Sequence, residues 1–158
     1  MKTRHLLCII GVLLCLQCMN GCETRSVAPT QVPRHFMARI GGHIAPSYKV
    51  ECSDEKTLTY YANLPSYAPG DAGTKKTSIN ISADQWKRLR QNLDEADVWH
   101  WRSEYINKGI YDGTIWELNI EYADRKKSTF GSNAYPNQRS FEKFLSAVGE
   151  LTGGLTFQ

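Results

Sequence analysis

The run from Ile115 to Tyr122 narrows the possible folds more than any other stretch. Trp116, Leu118, Ile120 and Tyr122 alternate with Glu117, Asn119 and Glu121. Successive side chains of a strand point to opposite faces, so the alternation gives one apolar and one wet face. That is the pattern of an antiparallel sheet covered on one side only. Other segments supply its neighbours. Phe36 to Ile44 reads as a first strand, weakened by Gly41-Gly42. Tyr48 to Cys52 alternates strictly, and Thr57 to Tyr61 is rich in β-formers. Ser53 to Lys56 is a polar turn between them, so the pair reads as a hairpin. Leu64 to Lys76 is a loop with Pro65, Pro69, Gly70 and Gly73, and Thr77 to Ile81 is another short strand. After Tyr122, Asp124-Arg125 turns the chain back into a strand over Lys127 to Phe130.

Two helices stand out by their apolar period. Ser82 and Gln85 have the spacing of a capping box, in which each side chain satisfies an unpaired amide of the first turn. Trp86, Leu89, Leu93 and Ala96 follow on one face, while Lys87, Arg88, Arg90, Asp94 and Glu95 make the wet side. Phe141, Phe144, Leu145, Val148 and Leu151 form the second stripe, ended by Gly153-Gly154. Val98 to Tyr111 shows no clear period, and Gly109 interrupts it. The expected fold is α+β, an antiparallel sheet with two helices packed on one face, in the order β-β-β-β-α-β-β-α.

The N-terminus has a different character. Lys2 and Arg4 precede an 11-residue apolar run, Leu6 to Leu16. That is too short to span a bilayer, which takes about 20 residues, but it has the layout of a secretory signal. Met19-Asn20-Gly21-Cys22 then resembles the lipobox of bacterial lipoprotein precursors, with Gly21 and Cys22 carrying the match. In that family a peptidase cuts before the cysteine, whose sulfur takes a diacylglycerol and whose amine is also acylated. The resemblance implies a signal peptide at residues 1–21 and lipidation at Cys22. It also implies a membrane partner reached through acyl chains. Glu23, in place of an aspartate there, points by the same resemblance to the outer membrane, facing the periplasm. Residues 22–35, with Pro29 and Pro33 and no apolar period, read as a lipidated tether, and residues 36–158 as a single globular domain. The block from Trp116 to Leu151 resembles a pattern recurring in small bacterial envelope domains; no activity attaches to it.

Cleavage at that site removes two of the 19 basic residues and none of the 16 acidic ones, leaving a net charge of +1. No clustered basic surface is evident, which argues against a nucleic-acid partner. Cys8, Cys15 and Cys18 leave with the signal, so Cys52 has no partner for an internal disulfide and reads as a small buried apolar residue.

Catalytic motifs are absent from the mature sequence: there is no phosphate-binding glycine loop, HExxH, CxxC or GxSxG. Gly41-Gly42-His43 is too short to cradle a phosphate. Glu117 and Glu121 share a strand face but sit about 13 Å apart. Paired glycosidase carboxylates stand about 5–9.5 Å apart. Nothing in the spacing of His35, His43 and His100 supports a metal, and no cofactor is expected. The remaining constellation is aromatic. Trp99-His100-Trp101 presents two indoles that share a face on a strand and diverge by about 160° on a helix. With Tyr105, Tyr111, Asn133 and Tyr135 they form the candidate binding residues, since flat aromatics with polar rims suit sugars, peptidoglycan or protein partners. The competing reading has them fill the core. The expectation is a non-enzymatic envelope module that binds a protein or a cell-wall polymer. The alternative is an envelope hydrolase with an unmarked active site.

Overall fold

The computed structural model describes residues 31–42, 46–52, 54–63 and 73–158. The expected signal peptide, Cys22 and most of the tether lie outside the described residues. So do Ser53, His43, the end of the expected first strand at Ile44, and most of the loop before Lys76.

The elements run β1 (His35–Gly42), β2 (Tyr48–Cys52), β3 (Thr57–Ala62), β4 (Lys75–Asn80), α1 (Ala83–Glu95), β5 (Glu104–Ile106), β6 (Thr114–Glu121), β7 (Lys126–Ser132) and α2 (Gln138–Leu151). A short 3-10 turn, Val98–His100, joins α1 to β5. The strands form one sheet in the order β4-β3-β2-β1-β6-β7-β5. Every pairing is antiparallel except β5 with β7.

The mixed α+β class and the predominantly antiparallel sheet match the sequence reading. The element order differs by one strand: β5 lies in the stretch where no period prevails. Three residues are too few to show an alternation, and its pairing is set from outside. The Phe130 amide donates to the Ser103 carbonyl at 3.0 Å and the Asn107 amide to the Ser132 carbonyl at 2.9 Å.

β1 lies at the centre and pairs with β6 along its whole length, from His35 opposite Glu121 to Gly42 opposite Thr114. Gly41 does not end the strand. A Cβ there would meet the Ser47 hydroxyl at 2.0 Å, so glycine lets the buried Ser47 pack on it. Packing also reaches back ahead of the strand. Val32 rests on the core, Pro33 is buried, and the Arg34 amide donates to the Glu121 carbonyl at 2.7 Å.

Phe36, Ala38 and Ile40 of β1, with Trp116, Leu118 and Ile120 of β6, are buried on one face. Both helices cover that face. Trp86 of α1 meets Phe36 edge-on at 5.8 Å, and Phe141 of α2 meets Trp116 at 4.9 Å. Full burial of one such side chain contributes about 1.5–3 kcal/mol. The capping box forms as expected at the start of α1, with Ser82 and Gln85 satisfying each other's amides. Arg90 departs from expectation. It is buried rather than on the wet face, because it follows Trp86 by four residues and lies at the edge of the apolar stripe. Cys52 is half-buried, its sulfur accepting the Phe36 amide at 3.1 Å, and burial raises its thiol pKa.

Gly131, paired with Trp116 across β6 and β7, has the indole where a side chain would be: a Cβ would lie 2.0 Å from the ring nitrogen. Gly131→Ala is therefore expected to cost about 1–3 kcal/mol. A lowered urea midpoint with an unchanged m-value is the readout.

Candidate functional site

The aromatic stretch is built on the end of α1. Asp97 takes a left-handed backbone, φ 57°, and redirects the chain into the 3-10 turn. The two indoles then diverge, as on a helix. Trp101 turns inward, 7 % exposed, with its ring at 5.6 Å from both Trp116 and Phe144. Its N–H donates to the Ser140 hydroxyl at 2.8 Å, and that hydroxyl donates to the Ala96 carbonyl. Lys127 donates to the Trp99 and Trp101 carbonyls, and Thr129 to the Arg102 carbonyl at 2.8 Å, so the stretch is fastened to β7. Tyr105 is also buried, tilted against Trp116 at 5.8 Å, with its oxygen accepting the Arg102 amide at 3.1 Å. Trp101 and Tyr105 thus serve mainly in packing, with other rings on their faces, and what remains of them lines, with His100, Asn137 and Arg139, a cleft of about 490 Å³.

Of the remaining expected binding residues, His100 joins Trp101 and Tyr105 at that cleft, while Trp99, Tyr111, Asn133 and Tyr135 do not line it. Trp99 is half-buried against Tyr122 on the α1 side, its N–H donating to Asp94. His100 is exposed and pairs with Asp97. Tyr111 stands 96 % exposed on the β5–β6 loop. Asn133 has a turn role: φ is 52°, and its amide donates to the Ile110 carbonyl at 3.1 Å. Tyr135 is 42 % exposed and lies on Phe141, with ring centroids 4.9 Å apart.

Tyr135 opens onto a cleft of about 620 Å³. Ile40 and Gly42 at the end of β1, Thr114 at the start of β6, and Pro136, Phe141 and Leu145 around α2 line it. Its wall is mainly apolar, with Gln138, Glu142 and Gln158 as polar points. Such a concave wall with a few polar groups suits a ligand carrying an apolar group. Sequence reasoning found Tyr135 but not the cleft, because the pairing of Gly42 with Thr114 brings together positions far apart in the chain. Among the described residues no group of three His, Cys, Asp or Glu could hold a metal. Glu117 accepts a hydrogen bond from Asn119 at 2.6 Å on the sheet face away from the helices.

A separate electrostatic feature lies elsewhere and is structural. Arg90 is 6 % exposed and forks onto Asp124, with Nη1–Oδ1 at 3.2 Å and Nη2–Oδ2 at 2.9 Å. Its guanidinium lies 4.4 Å from the Tyr122 ring centroid and 5.2 Å from that of Trp99. Arg90 Nε is 3.4 Å from Asp94 Oδ1, within ion-pair range but without hydrogen-bond geometry. Burial raises the Tyr122 pKa, while hydrogen bonds from Arg90 hold the Asp124 carboxyl down to about 2.

A lowered carboxyl pKa contributes stability that is complete above the unfolded value of ~4 and fades as pH falls towards 2. Asp124→Asn should flatten the urea midpoint against pH across that window. At neutral pH it should cost about 2 kcal/mol, because the buried Arg90 is left with a neutral acceptor and with Asp94 3.4 Å from its Nε. An unchanged acid limb would contradict the assignment.

No protein-family model matches the chain, and no curated protein matches it.

Proposed function

We propose that the chain is a lipid-anchored domain of a bacterial envelope that binds a protein or a cell-wall polymer and performs no chemistry on it. The cleft beside Tyr135 is the observation that carries the binding role. Tyr135 offers aromatic area with few rotors, and Gln138 and Glu142 supply hydrogen-bonding groups at the rim. The anchor rests on the lipobox resemblance at Met19 to Cys22. Acyl chains on Cys22 would each add about 0.8 kcal/mol per buried CH2, and more than one chain makes attachment stable. With Val32 already packed on the domain, a tether of roughly nine residues reaches about 30 Å. That length lets the domain meet a partner beyond the lipid surface, on the periplasmic side of the outer membrane.

Crosslinking of the full-length protein within the envelope, followed by purification and mass spectrometry, tests both parts. The wild type should carry lipid mass on Cys22 and one recurrent crosslinked partner. Cys22→Ser should leave the membrane fraction. Tyr135→Ala, folded by circular dichroism, should stay at the membrane and lose the partner at least about tenfold, the equivalent of ~1.4 kcal/mol. An unlipidated wild-type N-terminus would overturn the anchor, and an unchanged partner yield in Tyr135→Ala would overturn the cleft.

A further inference from the structure

The sheet has a second face, which points away from both helices. Among the described residues no element packs on it. The strand registers place one row of side chains across this face. Lys76 of β4 lies beside Tyr61 of β3, then come Lys49 of β2 and Arg39 of β1. Glu117 of β6, Phe130 of β7 and Glu104 of β5 complete the row. Every strand of the sheet contributes one member.

The row is segregated by charge. Its cations, Lys76, Lys49 and Arg39, occupy one half and the centre, while its anions, Glu117 and Glu104, occupy the other half. An aromatic ring stands second from each end, Tyr61 on the basic side and Phe130 on the acidic side. Read from either end, the order is charge, aromatic, charge, with the sign reversed.

We propose that this outer face is the interface of a homodimer, in which a second copy of the chain is laid face to face about a two-fold axis along β1. Such an axis reverses the row. Lys76 then faces Glu104 of the second copy, Tyr61 faces Phe130, and Lys49 faces Glu117. Each of these contacts occurs twice, as an isologous interface requires. Arg39 lies on the axis opposite its own copy, with Glu117 as its direct cross-strand neighbour to offset the like charge. Met37, the next outward residue along β1, meets its own copy on the axis and adds apolar contact.

Size and order fit as well. Seven strands at about 4.8 Å spacing and roughly 20 Å length give a face of about 600 Å². A specific interface buries roughly 600–1,000 Å² on each partner. Tyr61 is already held in place, its hydroxyl donating to Glu51 at 2.6 Å and Lys49 lying 4.4 Å from its ring centroid. Phe130 is 36 % exposed and offers its ring to the opposing Tyr61. A contact side chain ordered before association loses less entropy on binding. The edge strand β4 is a poorer route to self-association, since Lys75 and Lys76 oppose addition of a further strand.

Charge reversal with mixing tests the proposal on the full-length chain in detergent, with mass read by native mass spectrometry. The wild type should be two copies. Lys49→Glu/Lys76→Glu and Glu104→Lys/Glu117→Lys should each fall to one copy. Mixed in equal amounts, the two variants should return to a dimer containing one of each, which also shows that both are folded. A monomeric wild type, a dimer that survives either reversal, or a mixture that stays monomeric would overturn the proposal.

Discussion

Trp116 is the contact on which the rest of the structure depends. Its indole N–H donates to the Ala134 carbonyl at 2.9 Å, fixing the loop between β7 and α2. Its ring touches Trp101, Tyr105 and Phe141, with centroids 5.6, 5.8 and 4.9 Å away. One side chain on β6 therefore sets the position of the 3-10 turn, β5, the α2 helix and the approach to Tyr135. The bare Cα of Gly131 leaves room for it. Aromatic pairs of this kind contribute about 0.5–1.5 kcal/mol each beyond their buried area. The hydrogen bond removes the cost of burying the indole N–H.

That cluster explains which features the sequence made legible. The alternation of β6 and the apolar stripes of α1 and α2 are local signals, and they predict both their elements and their buried faces. The capping box at Ser82 and Gln85 is equally local. β5 was not legible, because a three-residue parallel strand takes its conformation from β7. Nor was the burial of Arg90: a charged residue reads as solvated until Asp124 and the faces of Tyr122 and Trp99 are seen to meet it. The aromatic residues named as a binding surface illustrate the same limit. Periodicity did not decide whether Trp101 and Tyr105 turn inward; Trp116 and Phe141 decide it. Of the surface residues, Tyr135 borders the apolar cleft, His100 borders a second cleft beside Trp101 and Tyr105, and Tyr111 stands apart.

The two proposed surfaces are physically independent. The Tyr135 cleft lies on the helix side of β1, and the charge-segregated row lies on the opposite face of the sheet. Pairing of two copies through the outer face would leave both clefts open. On a shared membrane, two tethered copies would present two clefts to one extended partner, and linked sites gain from high effective concentration. The Arg90–Asp124 fork fastens α1 to the turn after β6 and belongs to neither surface. Its consequence is acid sensitivity rather than recognition.

Hydrogen exchange of the four tryptophan indole N–H groups, resolved by NMR in the full-length protein, tests the packing around Trp116. Trp86, Trp101 and Trp116 donate to the Glu55 carbonyl, the Ser140 hydroxyl and the Ala134 carbonyl. Trp99 donates to a partly exposed carboxylate at the surface. Trp101 should exchange slowly with Trp86 and Trp116, and Trp99 should exchange fastest. Trp101 exchanging as fast as Trp99 would contradict its place in the core and return it to the binding surface.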